Sequence, residues 1–586
     1  MKGFFKMVFA TMLGIILLQV LMFLVFIIFL VGSVASFSKG DGPTKVSPNT
    51  ILELKFNGTI NERNANDIFA FNMNSEAETA DLQVMLNDIK KAKEDNNIKG
   101  ISLQIDALSA SFSTLEELRN ALSDFKKSGK FIYSYSDNYS QGAYYLASVA
   151  DKVCVNPHGE VSLYGLSTQV MFFKKLLDKM NIDMQIVKVG TYKSAVEPFI
   201  LDKMSDANRE QYTTLLNSIW NTILKQISLS RNIAVETINQ DCDHLTILGD
   251  VNAALAKGYV DTLVYIDQYE DCLRAAVGQG AKSKLKYVSA SQYESVVVNK
   301  NSSNKKIAVL YAIGNINDDE GSNTSIGSNM MDELKKLRED KNVKAVVFRI
   351  NSGGGSALMS EKIWREVVKL KQEKPIVVSM SDVAASGGYY IACAANSIVA
   401  ESNTITGSIG VFGMIPNIKK FMEDKVGIEV DQVTTNPHAA MSIFTPLDNE
   451  ERAAIQRSVN QVYKTFTTRV AEGRGLTTQY VDSIGQGRVW SGTDALRLHL
   501  VDTLGGLDVA IAKAAQLANI KSYKVDYFPR TKDAWEQIND MLSDRGFTSM
   551  LQQSPLKETY TYMVQIEDIL NRKGVQAMMP CRIEIR

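Results

Sequence analysis

Two glycine-rich junctions in the second half of the chain hold the residue types from which a hydrolytic site is built. In Asp382-Val-Ala-Ala-Ser386-Gly-Gly-Tyr-Tyr390 a serine flanked by alanine and glycine joins an apolar strand to a helix. A sharp turn of that kind exposes the hydroxyl oxygen and sets the next N–H, that of Gly387, beside it, as a nucleophile requires. Upstream, Ile350-Asn-Ser-Gly-Gly-Gly-Ser-Ala357 also leaves a strand and enters a helix. Its glycines let backbone N–H groups turn outward into a small nest for an oxyanion or a phosphate. The Lys-Ser/Thr ending of a phosphate-binding P-loop is missing. Taken alone, each junction reads equally as a tight turn that packs a helix closely on a strand.

A serine nucleophile needs a base. The four histidines, His158, His244, His438 and His499, supply neither a convincing Ser-His-Asp set nor an HExxH array. His438, in Asn436-Pro-His-Ala439, comes nearest and reads as a loop residue. A neutral lysine is the other solution, because burial lowers its pKa and lets it take the serine proton. Val189-Gly-Thr-Tyr-Lys193-Ser-Ala-Val-Glu-Pro198 sets a lysine among small, aromatic and proline residues. A lone lysine is ordinarily a solvated surface charge, and this segment by itself does not decide otherwise.

The elements that must position these residues come in two copies. Asn97–Leu166 matches Asn342–Val411 without a gap at an offset of 245 residues, with Ile105/Ile350, Glu116/Glu361, Ser134/Ser379, Asp137/Asp382, Gly142/Gly387, Tyr144/Tyr389, Tyr145/Tyr390 and Gly165/Gly410 identical. Farther out the offset drifts, as loop insertions produce, with Val260-Asp-Thr opposite Val501-Asp-Thr. Short Val- and Ile-rich runs alternate with amphipathic stretches, which predicts an α/β fold whose parallel sheet is covered on both faces. The copies diverge at the chemistry. Asp106-Ala-Leu-Ser-Ala-Ser111 replaces the glycine nest in the first copy, and Gln141 stands at the position of Ser386. The same offset sets Lys193 opposite His438.

With 586 residues the chain is long enough for more than one domain. Lys plus Arg number 64 against 65 Asp plus Glu, a net charge of -1, so no basic surplus points to nucleic acid. Five scattered cysteines without a CxxC do not make a disulfide framework, and so few histidines leave little for a metal site. No charge interrupts the 26 residues from Met7 to Gly32. At about 1.5 Å per residue such a helix spans a hydrocarbon core of roughly 30 Å. Lys2 and Lys6 favour a cytoplasmic amino terminus and a body on the far side. Ser33-Val-Ala35 resembles a cleavage site, but the run exceeds a signal-peptide core of about 7–15 residues, so a single-pass anchor is expected. The expected organisation is a cytoplasmic tip and anchor over 1–38, a first repeat over 46–298, a polar linker, a second repeat over 305–530 and an extension over 531–586.

Together the anchor, both copies, Gly-Thr-Tyr-Lys193-Ser-Ala-Val-Glu-Pro, Asn351-Ser-Gly-Gly-Gly-Ser and Ala384-Ala-Ser386-Gly-Gly-Tyr-Tyr resemble the long, duplicated, membrane-anchored type of bacterial signal peptide peptidase A. The resemblance implies tandem Clp-protease/crotonase-like α/β domains and a Ser/Lys dyad, with Ser386 as nucleophile and Lys193 as general base. It implies Gly354, Gly355 and Gly387 as oxyanion donors and Ser408, in Thr406-Gly-Ser-Ile-Gly410, as a hydroxyl that orients the lysine. The family's loop usually reads Ser-Pro-Gly-Gly, and Gly353 replaces the proline here without removing a donor N–H. The implied task is hydrolysis of signal-peptide remnants and similar apolar peptides at the outer face of the bacterial cytoplasmic membrane, without cofactor or metal. Stacking of repeat-like units predicts a homo-oligomer, a tetramer in the first instance. Alternatives are a general extracytoplasmic quality-control protease, a crotonase-type acyl-CoA enzyme, or an inert membrane scaffold.

Overall fold

The computed structural model describes residues 46–63, 80–280, 282–298, 302–322, 324–530 and 576–578, together with Gly14. The expected anchor over 1–38 otherwise lies outside the described residues, as does most of the extension over 531–586. Among the described residues no helix is long and apolar enough to cross a membrane.

Four strands of the first copy, β1 (Thr50–Asn61), β2 (Ile98–Ser109), β3 (Phe131–Tyr139) and β4 (Lys152–Val161), lie side by side in that order and run parallel. Helix α1 (Phe112–Lys126) joins β2 to β3, and α2 (Gln141–Ala147) joins β3 to β4. Ile101, Leu103 and Ile105 of β2 enter the main core on one face. Ser102 points the other way and shares a 2.8 Å hydrogen bond with the buried Tyr269 hydroxyl. Burial on both faces explains why these strands lack a strict apolar–polar alternation. The first copy adds β5 (Asp183–Val189), which leads to Lys193, and the long helix α3 (Asp206–Arg231), capped by Ser205.

The second copy repeats the plan with β6 (Lys306–Ile313), β7 (Val343–Ser352), the short glycine strand β8 (Gly354–Ser356), α4 (Ala357–Glu373), β9 (Ile376–Ala385), α5 (Gly387–Ala392) and β10 (Ser397–Ala400). There follow β11 (Ile405–Gly407), β12 (Val411–Asn417), α6 (Asn449–Arg474), β13 (Val489–Ser491) and β14 (Lys524–Phe528). Its sheet runs β13-β11-β9-β7-β6-β14, parallel except at the β13–β11 pair. Shifted by 245, α1 falls on α4, β3 on β9 and α2 on α5, each within two residues. The interior hydrogen bonds repeat too: Tyr144 Oη donates to Tyr259 O and Tyr389 Oη to Leu500 O, both at 2.9 Å.

Two features dock the copies face to face. Strand β5 of the first pairs antiparallel with β12 of the second over seven positions, from Asp183↔Asn417 to Val189↔Val411. Elsewhere along the junction Arg349 of β7 is buried among first-copy carboxylates, bonded to Glu62 at 2.8 and 2.9 Å and to Glu117 at 2.6 Å, with Ser379 completing its set. Burial pushes the Glu62 carboxyl up to about 7 against the pull of Arg349. Glu116 accepts from Asn403 N across the same junction, and the Ser111 and Thr114 hydroxyls of the first copy donate to Asp382.

Candidate active site

Strand β9 ends at Ala385 and α5 begins at Gly387, which leaves Ser386 alone at the turn. Its φ of 54° and ψ of -115° form a conformation that a β-carbon disfavours, a strain of about 1–3 kcal/mol held by the surroundings. The Ser386 N–H donates to Gly407 O at 2.8 Å, and Tyr390 N closes the first helical turn on Ser386 O. A serine before a helix ordinarily spends its hydroxyl on a cap. Ser386 makes no side-chain cap bond, whereas in the first copy Ser140 caps α2 and Gln141 is already helical. Gln141 instead closes its own site, accepting from Tyr164 N and Gly165 N and donating to Gly165 O.

The free hydroxyl of Ser386 faces Lys193. Nζ lies 2.9 Å from Ser386 Oγ, 3.0 Å from Ser408 Oγ and 3.3 Å from Ser408 O, and all three residues are fully buried. Desolvation alone holds the Lys193 amine well below the usual lysine range, with no carboxylate among the described residues to restore its proton. A neutral amine accepts one proton and donates two, so it can take the Ser386 proton while donating to both Ser408 oxygens. Ser408 is itself held at φ 50°, with its N–H on Arg488 O at 2.7 Å.

What seats the lysine is a clamp between the copies. Tyr192 N donates to Gln486 O at 2.8 Å, and Gln211 of α3 donates to Tyr192 O and Ser194 Oγ from below. Gly487, at φ 80°, passes so close that a β-carbon would lie 2.7 Å from Lys193 N, Cα and Cβ. Gln211, Gln486 and Gly487 escape a reading of the sequence for catalytic types, since they meet the segment that carries the lysine rather than its amine. The one visible signal is Gly485-Gln-Gly487 just before a strand.

Of the expected oxyanion donors, Gly387 opens α5, where an N–H has no intrahelical partner, and Gly355 lies in β8. Gly354 already donates its N–H to Ser352 Oγ at 3.1 Å, so its part is conformational: at φ 99° it turns β8 toward Gly387. His438 is not near this chemistry. It is exposed and paired with Asp448, Glu450 and Glu451 at the start of α6, where the Glu450 carboxylate raises its pKa. The offset of 245 therefore does not extend to Lys193, whose strand β5 pairs with β12 across the junction. His438, Asp448 and Glu451 are close enough to share a metal ion, but Asp448 Oδ1 already caps α6.

The model of peptidase family S49 matches residues 124–280 and again 368–521. The chain belongs to peptidase family S49. It is thus a serine protease, and the double match makes the family domain tandem. "Protease 4" of Salmonella typhi is 38% identical over 78% of this chain and 75% of its own. The "Serine protease SPPA, chloroplastic" of Arabidopsis thaliana is 32% identical over 83% of this chain and 72% of its own. Among solved structures, a single-residue mutant of ClpP1 from Listeria monocytogenes is similar at a TM-score of 0.23 and 15% identity, covering 34% of this chain and 92% of that one.

Proposed function

We propose that this S49 peptidase is a Ser/Lys-dyad endopeptidase that degrades signal-peptide remnants and similar apolar peptides at the outer face of the bacterial cytoplasmic membrane. The observation that carries the dyad is the 2.9 Å approach of the buried, desolvated Lys193 Nζ to Ser386 Oγ. Lys193 takes the Oγ proton as Ser386 attacks the peptide carbonyl, and the N–H groups of Gly355 and Gly387 receive the oxyanion. Lys193 then returns the proton to the leaving amine, and water hydrolyses the ester by the same route. Ser408 holds the amine aimed at Oγ through both states.

The substrate class rests on the relatives' names and on the uncharged run Met7–Gly32, which would concentrate the site at the surface where such remnants lie. Within one chain the first repeat contributes the base and the second the nucleophile, and assembly into a homo-oligomer encloses the site. The test is hydrolysis of an apolar signal-peptide substrate by detergent-purified full-length chain. Wild type is active, and Ser386→Ala and Lys193→Met are not; retained activity in either variant overturns the dyad.

A further inference from the structure

Arg488 follows the Gly485-Gln-Gly487 turn and leads into β13, and its main chain and side chain serve different partners. Its carbonyl accepts the Ser408 N–H at 2.7 Å. Its guanidinium lies over two rings, with Cζ 4.7 Å from the centre of Tyr192 in the first copy and 4.5 Å from that of Trp490 in the second. Nη2 reaches the first copy again at Glu210 Oε1 of α3, 3.0 Å away, and the Tyr192 hydroxyl donates to the other Glu210 oxygen at 3.2 Å. Among the described residues Nε is buried without a hydrogen-bond partner, so the rings and Glu210 hold the group. A guanidinium suits this place because it is planar and weakly hydrated and stacks on aromatic rings, where an ammonium keeps its water.

The neighbours of these contacts are the parts of the dyad. Tyr192 immediately precedes Lys193, and its N–H is bound to Gln486 O at 2.8 Å. Trp490 presses on Gly407, where a β-carbon would lie 2.8 Å from Trp490 Cδ1 and 3.0 Å from Arg488 O. Gly407 O in turn accepts the Ser386 N–H at 2.8 Å, and the next residue is Ser408. Trp490 itself is fixed by its indole N–H, which donates to Ile484 O at 2.9 Å. The β5–β12 ladder that docks the copies ends at Val189 and Val411, short of both Lys193 and Ser408. Beyond that last pair, Arg488 binds the residue before the base and the residue that holds the amine.

We propose that Arg488 is a positioning residue for the Ser386–Lys193 dyad, its stacked guanidinium locking the Tyr192–Lys193 main chain against Gly407–Ser408 so that the amine meets Ser386 Oγ in a dry seat. The proposal rests on the dyad reading above. Arg488 acts through the chain on either side of it and not on the reacting atoms. Without the guanidinium Tyr192 loses the group beneath its ring, the amine drifts from Oγ and water reaches it. A misplacement of about 1 Å can cost on the order of a hundredfold in rate. Water also returns part of the charge that burial removes, so the amine titrates at higher pH.

The test is the pH dependence of kcat and KM for an apolar signal-peptide substrate, measured on full-length chain in detergent beside circular dichroism. Arg488→Met should lower kcat at least about tenfold with KM within about twofold of wild type, and should move the acid limb of kcat up by about one pH unit. Arg488→Lys, which keeps the charge without the plane, should do no better. Tyr192→Leu should repeat both effects from the first-copy side, and Tyr192→Phe, which keeps the ring, should recover most of the loss; this pair decides the matter if Arg488→Met does not fold. A fall in kcat whose acid limb stays at the wild-type pH marks a merely structural role and overturns the proposal. A wild-type kcat in Arg488→Met, Arg488→Lys or Tyr192→Leu overturns it as well. Lys193→Met, run alongside, separates the two readings: if inactive, the dyad stands whatever Arg488 does, and if active, the dyad falls and this proposal with it.

Discussion

At the scale of residues the site is marked by hydrogen-bonding and ion-pair partners that are withheld. Ser386 keeps its hydroxyl off the helix cap, and among the described residues no carboxylate pairs with the buried Lys193, so the two side chains meet. The pH dependence follows in sign. A lysine whose folded pKa is depressed is neutral at lower pH than in water, so kcat should rise through that depressed pKa and plateau above it. Lys193→Arg should be inactive across the range, because guanidinium stays protonated. The same depression makes Lys193 a stability liability: the unfolded chain binds its proton more readily, so folded stability rises as pH climbs from the folded pKa to about 10.5. Lys193→Met should therefore raise the melting temperature below that window while abolishing hydrolysis, which thermal unfolding and a peptide assay read together. Ser408→Ala removes a hydrogen bond worth about 1 kcal/mol, and kcat should fall roughly fivefold, with KM little changed. These residue types and their motifs are visible in the sequence. The absence of a carboxylate around Lys193 among the described residues is not, because the groups that meet the amine belong to Ser386 and Ser408 of the other copy.

At the scale of elements, two strand–loop junctions must meet within hydrogen-bonding distance, and the β5–β12 pairing sets their register. Val189 and Val411 are the last pair of that ladder, so the chain leaves β5 for Lys193 at the point where the other copy arrives from Ser408. Gly487 completes the seat. Gly487→Ala would put a methyl against the Lys193 backbone at a φ that alanine avoids. Hydrolysis should drop by at least a hundredfold with secondary structure retained, measured by kcat/KM beside circular dichroism. The strand and helix bounds of the repeated window are legible from Val/Ile runs and from the 245-residue offset. β5 is not, since it has no counterpart at that offset and pairs with a strand more than 200 residues away.

The whole molecule is a docked pair of copies, one of which keeps the fold with Gln141 where the other has Ser386. Arg349 makes that docking exacting: Arg349→Met would leave Glu62 and Glu117 buried without their cation, a loss of about 3–5 kcal/mol that chemical denaturation should report. The fragment from Lys305 to Arg530 should be inactive alone and regain activity only with the first copy present, as read by peptide turnover on mixing. By itself the sequence determined the duplication, the parallel α/β plan, the replacement of the serine by Gln141 in the first copy and the motifs that hold Ser386 and Lys193. Those properties are local, written in the periodicity of apolar residues and in short motifs. That the Lys193 amine lies against Ser386 Oγ, that burial lowers its pKa, and that Gly354 spends its N–H on Ser352 were decided by tertiary structure. Each depends on groups hundreds of residues apart meeting in a dry junction, and distances across such a junction leave no trace in the spacing of residues along the chain.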